Sequence, residues 1–179
     1  MRVLVDTNIL IDFLCMREDF YDEAEKVFVW GLKNKIHILI TDISYINALY
    51  VGKRYGYSVE SLKSSLYKIA KFSELAIIDN DIVKESLLSD WNDVEDATQY
   101  YAAISNMADC ILTRNTNDFK MSTIPVYSPK EFISKIENGT GASFSGTIPM
   151  SWTGVGAYYG SISTEKQTND KGESNVFFK

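Results

Sequence analysis

The chain has 179 residues, 45% of them hydrophobic and 23% charged, and its formal net charge is −6 at pH 7. This length favours one compact domain with an extension over two full domains. The negative charge argues against a dedicated DNA-binding module, which usually carries a basic surplus that attracts phosphate, but it is compatible with a nuclease whose acids bind metal.

The first element of the chain is the most informative. A β-branched run over residues 3–5 ends at Asp6, and an apolar helical pattern begins directly after Asn8. This pattern predicts a buried parallel strand that brings one carboxylate to its carboxyl end, where open α/β sheets bind their ligands. The alternative is that Asp6 only caps the following helix.

Strands and helices alternate along the next 130 residues. Strand patterns occur at 36–41, 75–79, 110–113 and 124–127. Helical patterns occur at 9–34 (interrupted at 16–20), 44–55, 80–88, 94–107 and 128–136, and a further one begins at Ser58. This alternation predicts βαβ units, and right-handed crossovers then give an α/β fold, a three-layer α/β/α sandwich with a central parallel sheet.

The character of the chain changes after Glu137. Residues 138–179 are rich in Gly, Ser and Thr and lack helical periodicity. We therefore expect one domain over residues 1–137 and an irregular, partly disordered C-terminal extension over 138–179.

The extension carries no residue of the predicted chemistry. No stretch of the sequence approaches the roughly 18 to 20 apolar residues of a membrane span. We expect a cytoplasmic protein with no membrane partner, in which Cys15 and Cys110 are reduced core residues.

Polar residues recur where the later strands and helices begin or end. They are Asn47 in SYINALY, Asp93, Glu95 and Asp96 in DVEDATQYYAA, and Thr113, Arg114, Asn115 and Asp118 in TRNTNDF. If the strand at 110–113 lies beside the first strand, Asp6 and Asp96 converge at a topological switch point. Neighbouring carboxylates repel unless a cation neutralises them, and Mg²⁺ or Mn²⁺ suits an all-oxygen set.

Simpler interpretations of these residues stay open. Asp93, Glu95 and Asp96 can complement a helix dipole without binding metal. Asp118 can be a turn residue, and Asn47 an interior polar residue that bonds to backbone. Two other enzyme classes are disfavoured, because a phosphatase with an aspartate nucleophile needs an acid where Asn8 stands and a dinucleotide-binding fold needs a GxGxxG motif after the first strand.

Residues 1–137 resemble the PIN-domain ribonucleases, and most closely the VapC-type toxins of bacterial toxin–antitoxin pairs. Four motifs carry the resemblance, in the family's order: VDTNILID, DVEDATQYYAA, TRNTNDF and IPVYSPKEF. Each motif is short and weakly specific, but four in order over some 130 residues form a strong signal.

The resemblance implies roles for individual residues. Asp6 and Asp96 would bind Mg²⁺ and Asp118 would complete the catalytic acids, with Asn8, Asn47, Thr113 and Asn115 in supporting positions. Asn47 is a departure, because many family members carry a Glu there. Three basic residues are candidates for an RNA-facing rim, Lys53, Arg54 and Arg114, although a solvated helix end explains the first two equally well.

The implied function is a Mg²⁺-dependent ribonuclease that cleaves RNA with a metal-activated water and acts as a toxin with a cognate antitoxin protein. The alternative is a PIN-fold protein with a weakened site that serves as a non-catalytic RNA-binding or protein-interaction module. The resemblance also implies a homodimer. Aromatic residues on the early helices would supply its interface, unless they fill the core: Phe20, Tyr21, Phe28, Trp30 and Tyr50.

Overall fold

The computed structural model describes residues 1–139 and the backbone of two further strands, at 164–168 and 174–178. The strands of the first part are β1 (Arg2–Val5), β2 (His37–Thr41), β3 (Glu74–Ala76), β4 (Cys110–Leu112) and β5 (Val126–Tyr127). The helices are α1 (Thr7–Leu14), α2 (Tyr21–Leu32), α3 (Asp42–Arg54), α4 (Val59–Ala70), α5 (Asn80–Leu88), α6 (Val94–Ser105) and α7 (Pro129–Glu137), with a 3₁₀ turn at Thr116–Phe119.

The five strands of this part form one parallel sheet in the order β3-β2-β1-β4-β5. The chain builds the sheet outwards from β1 to β3 and then returns to the other side of β1. The carboxyl ends of β1 and β4 therefore flank the point where the strand order reverses. Val5 pairs with Leu112 in the register, so Asp6 and Thr113 follow side by side.

Helices cover both faces of the sheet. Val3 and Val5 are fully buried in a core that also contains residues of α1, α2, α3, α4 and α7. Leu4 points to the other face and packs in a second core with residues of α6, and α5 packs against α6. This arrangement confirms the predicted three-layer α/β/α sandwich with a parallel sheet.

Local sequence signals account for several helix starts. Ser128 and Glu131 form a complete capping box at α7, with Pro129 in the first turn. The strand predicted at 75–79 is shorter than expected, since β3 ends at Ala76, opposite the end of β2 at Thr41. Beyond that point no partner strand continues, and Asp79 instead caps α5.

The aromatic residues proposed for a dimer interface belong mostly to the core, so that interpretation was wrong for three of them. Tyr21, Phe28 and Trp30 are buried, and Phe28 stacks on Phe13 of α1. The cause is that α2 packs between α1 and α7.

The C-terminal extension contains β6 (Thr164–Thr168) and β7 (Ser174–Phe178), which pair as an antiparallel sheet. The sequence predicted an irregular extension that could include short extended pieces in its aromatic part and a flexible polar end, and β6 lies in that polar end. The assignment of residues 138–179 to a separate extension stays a prediction. In the part of the chain that the structure describes, no helix has the length and hydropathy to cross a membrane.

Candidate active site

Asp6 lies at the carboxyl end of the central strand and is 6% exposed. Its backbone N–H donates to Leu112 O of β4 at 2.9 Å, which continues the sheet by one residue. Asp6 occupies the N-cap position of α1, but its side chain makes no capping hydrogen bond to that helix. The simple capping interpretation is therefore insufficient for this carboxylate.

Two supporting residues predicted from the sequence hold the Asp6 carboxylate. Thr113 Oγ1 donates to Asp6 Oδ2 at 2.7 Å, and Asn8 Nδ2 donates to the same oxygen at 2.5 Å. Asn8 Oδ1 in turn accepts the backbone N–H of Arg114 at 3.2 Å, and Asn115 N–H donates to Thr113 Oγ1 at 3.0 Å. These bonds fix one orientation of the carboxylate and join it to the loop after β4.

Asp96 is the second acid at this edge of the sheet, and it lies in the first turn of α6. Asp93 caps that helix by accepting the N–H groups of Glu95 and Asp96, so the capping interpretation is right for Asp93. The side chain of Asp96 makes no ion pair or hydrogen bond with the described residues.

Burial and neighbouring acids change the acidity of both principal carboxylates. Desolvation by burial raises the pKa of Asp6 to about 6, against the opposing effect of the Thr113 hydrogen bond. Desolvation, followed by the charge of Asp6 and then of Asp93, raises the pKa of Asp96 to about 7. Negative charge is therefore concentrated here without full compensation.

Glu95 is a site residue that the sequence analysis assigned to the helix dipole. Its Oε1 accepts a hydrogen bond from Asn47 Nδ2 at 2.9 Å, and its charge acts on both Asp6 and Asp96. Asn47 thus bonds to a side chain rather than to backbone. The carboxylate that many family members carry at position 47 is absent, but a carboxylate from α6 lies beside that position.

A buried polar network lies next to the acids and ties α3 and α6 to the sheet. Gln99 Nε2 donates to Ser44 Oγ at 2.8 Å and to Thr7 Oγ1 at 3.1 Å. Thr41 Oγ1 donates to Gln99 Oε1 at 3.2 Å and also bonds to Ser44 Oγ at 2.8 Å. Neutral groups therefore satisfy one another here and leave the nearby charges uncancelled.

The remaining predicted residues divide into two groups. Asp118 is exposed on the 3₁₀ turn, and its charge raises the pKa of Asp96, so it faces the acidic group. Lys53 and Arg54 end α3, about 9 Å along the helix axis beyond Asn47. The structure does not bring these two basic residues together with the acids.

The donor set at this edge fits one hard divalent cation. Within the described residues, no group of three or more His, Cys, Asp or Glu side chains can hold a metal ion. Mg²⁺ does not need such a cage, because it usually keeps several waters and uses one or two carboxylates with substrate phosphates. Asp6 and Asp96 supply two carboxylates, and neither forms an ion pair in the described chain.

The model of the PIN domain family matches residues 2–117, and the chain therefore belongs to this family. None of the curated proteins matches the sequence. Similar solved structures include a toxin–antitoxin complex from Klebsiella pneumoniae, with 26% identity, a TM-score of 0.52 and coverage of 71% of this chain and 97% of that one.

Two further neighbours have lower identity. VapBC2 from Rickettsia felis, bound to a DNA fragment from its promoter, has 18% identity, a TM-score of 0.51 and coverage of 72% and 98%. VapC20 from Mycobacterium tuberculosis, a toxin that cleaves the sarcin–ricin loop, has 8% identity, a TM-score of 0.50 and coverage of 61% and 86%. The resemblance predicted from the sequence motifs is thus confirmed.

The raised pKa values predict how stability depends on pH. The folded protein binds protons at Asp6 and Asp96 more tightly than the unfolded chain, so without metal its stability is highest below the unfolded pKa and falls as pH rises towards about 7. At pH 8, Mn²⁺ should raise the melting temperature more than at pH 5. Without metal at pH 8, Asp96→Asn should raise the free energy of unfolding by on the order of 1–2 kcal/mol and the melting temperature by about 2–8 °C. This figure is reduced for solvent screening because Asp96 is only half-buried.

Thermal unfolding in chelator and in Mn²⁺, at both pH values, measures this effect. Asp22→Asn on the exposed start of α2 is the control and should leave the pH dependence unchanged. Equal stabilisation by Mn²⁺ at pH 5 and pH 8 would contradict the assignment.

Asn47 of α3 contacts Glu95 of α6. We therefore expect that a carboxylate at position 47 can replace the one at position 95. Glu95→Gln should weaken Mn²⁺ binding about tenfold, because it removes charge and a neighbour of the cation. The double variant Asn47→Glu/Glu95→Gln should recover much of the loss, and the exposed Glu85→Gln should have no effect. Isothermal titration with Mn²⁺ measures the affinities, and an unchanged affinity for Glu95→Gln would refute a role for this carboxylate.

Proposed function

We propose that the protein is a Mg²⁺-dependent ribonuclease, the toxin of a toxin–antitoxin pair that acts in the cytoplasm. The observation that carries the proposal is the pair of uncompensated carboxylates, Asp6 and Asp96, at the reversal point of the sheet. Membership of the PIN family supports it, and so does the fold shared with VapC20, which cleaves RNA at the sarcin–ricin loop.

The described residues favour water as the nucleophile. Cys15 and Cys110 are buried, and His37 begins β2 at the opposite edge of the sheet from the acids. A covalent intermediate on Cys or His is therefore disfavoured. Hydrolysis by a positioned water needs acids that hold and orient it, and those are the side chains that this edge of the sheet supplies.

Each acid then has a distinct task. Asp6 and Asp96 would hold Mg²⁺, with Thr113 and Asn8 keeping the Asp6 carboxylate in one orientation. Bound Mg²⁺ lowers the pKa of water and stabilises the charge that develops on a phosphoryl group. Asp118, exposed at the solvent edge, is suited to orient the attacking water, and Asn115 borders the same loop.

One observation favours the second candidate, a non-catalytic module. Asn47 brings no charge to a position where many family members carry a Glu, and this weakens the attraction for a cation. Glu95 offsets the deficit only in part, because it is exposed. The two functions differ in one property, metal-dependent cleavage of RNA.

Two apolar surfaces are suited to protein partners. Between α3 and α4 a groove of about 390 Å³ is lined by Leu49 and by the exposed Ile46 and Tyr67. On the other layer of the sandwich, Leu87 and Leu88 of α5 are exposed. We assign the groove to the antitoxin and the α5 surface to a homodimer. The neighbour from Klebsiella pneumoniae is a toxin–antitoxin complex, and exposed apolar patches mark interfaces.

Cleavage of RNA should require both the acids and the metal. In Mg²⁺, Asp6→Asn and Asp96→Asn should lower the single-turnover rate at least about 100-fold, whereas Asp22→Asn should keep the rate of the wild type. Reaction in ¹⁸O-labelled water should place one heavy oxygen on the cleaved phosphate. Undiminished cleavage in excess chelator would contradict the mechanism, and absence of cleavage with intact RNA binding would favour the non-catalytic module.

The two apolar surfaces should be separable by mutation. Light scattering after gel filtration should give twice the mass of one chain, and Leu88→Glu should convert the protein to a monomer. Ile46→Glu should remain a dimer but fail to retain the co-expressed antitoxin, sought as the product of the reading frame next to the toxin gene, and Leu88→Glu should retain it. A monomeric wild type at high concentration would overturn the dimer.

A further inference from the structure

A cavity of about 370 Å³ lies beside the acidic residues, between the start of α2 and the start of α7. Arg114 and Asp12 form its inner wall, and Phe20 and Lys130 line it further out. The cavity is joined to the acidic group through Arg114, whose backbone N–H donates to Asn8 and whose charge opposes the raised pKa of Asp6. Asp12 lies about 6 Å along α1 from Asn8, or one helical turn.

Asp12 holds two arginines from a buried position. Its side chain is 1% exposed, its Oδ2 lies 2.8 Å from Arg114 Nε, and its Oδ1 lies 3.4 Å from an Nη of Arg17. Asp12 Oδ1 and Arg114 Nε have no well-directed hydrogen-bond partner in the described chain. Burying a carboxylate is costly, and the two partly exposed arginines offset that cost for Asp12.

Phe20 fixes the same two guanidinium groups from the side. The Arg114 guanidinium carbon lies 4.3 Å from the centre of the Phe20 ring, and that of Arg17 lies 5.6 Å from it. Arg114 uses its Nε towards Asp12, and its two terminal nitrogens make no hydrogen bond to the described residues. A planar guanidinium held in this way presents two parallel donors, the arrangement that binds a phosphate in bidentate fashion.

We propose that this cavity binds a second phosphate of the RNA, next to the one that is cleaved. Arg114 donates to the phosphate oxygens, and Asp12 and Phe20 are positioning residues that hold its guanidinium group. The inference rests on the proposed function, because the ligand is a phosphodiester of the RNA substrate.

The charges around the cavity indicate a tethered phosphate rather than a free one. Asp12, Asp19 and Glu23 line the cavity, so its acids outnumber its two basic residues, Arg114 and Lys130. General attraction for anions is therefore small. Affinity would come from the directed bonds of arginine to a phosphate that the cleavage site already holds nearby.

Binding of a labelled single-stranded RNA tests the proposal with Ca²⁺ in place of Mg²⁺, so that the cation site is filled, and gel analysis of the RNA afterwards verifies that it was not cleaved. Fluorescence anisotropy at several salt concentrations gives the dissociation constant and its salt dependence for each variant. Arg114→Gln should weaken binding about tenfold and reduce the slope against log salt by about 0.7 to 1, the loss of one phosphate contact. Arg114→Lys should keep the slope but lose several-fold in affinity, since lysine cannot form the bidentate fork.

The matched control is Arg2→Gln, which removes an arginine paired with Glu74 at the opposite edge of the sheet. This variant should change neither the dissociation constant for RNA nor its salt dependence. Phe20→Leu and Asp12→Asn should weaken RNA binding and raise KM in the cleavage assay with little change in kcat, and their melting temperatures verify folding.

Equal effects of Arg114→Gln and Arg2→Gln, or an unchanged salt slope, would overturn the proposal. If those results accompany Mg²⁺-dependent cleavage by the wild type, the phosphate site fails and the ribonuclease stands. If the arginine effects appear in a protein that never cleaves RNA, the phosphate site stands and the ribonuclease fails.

Discussion

The candidate active site depends on the electrostatic cost of holding two carboxylates together where β1 and β4 end. The strand order brings Asp6 to this point, and the first turn of α6 adds Asp96. Burial raises the pKa of both, so each is harder to ionise here than in water. A divalent cation would remove that cost, and a phosphate would complete its coordination.

Asp12 is a third buried acid, and its negative charge is compensated by ion pairs. Burial raises the pKa of Asp12 to about 6, as it does for Asp6, but Arg114 and Arg17 oppose the rise. Asp6 and Asp96 have no such ion pairs among the described residues. The contrast separates an acid that positions arginines from acids that are left for a cation. Asp12 lies one helical turn beyond Asn8, whose side chain bonds to Asp6.

The sequence was sufficient for the parts of the site that depend on local pattern. The apolar runs before Asp6 and before Thr113 each predicted a strand. Their adjacency was only a condition of the sequence argument, and the parallel pairing of β1 with β4 meets it and brings these two residues together. Short-range signals also predicted the helix start at Ser128. The length of β3 was overestimated, because an edge strand can pair only as far as its neighbouring strand extends.

Other contacts join residues far apart in the chain and leave no local pattern. Asn47 meets Glu95 only because α3 and α6 both begin at the carboxyl edge of the sheet, and Arg114 meets Asp12 only after β4 returns beside β1. The hydrophobic pattern of α2 could not show whether its aromatic residues face a core or a partner. That distinction depends on α7, which packs over the same face.

Anomalous diffraction from crystals grown with Mn²⁺ tests the central claim most directly. The account predicts one strong peak at about 2.1 Å from a carboxylate oxygen of Asp6 and from one of Asp96, with the peak absent in Asp6→Asn. A Mn²⁺ ion bound elsewhere, with none between these two carboxylates, would contradict it.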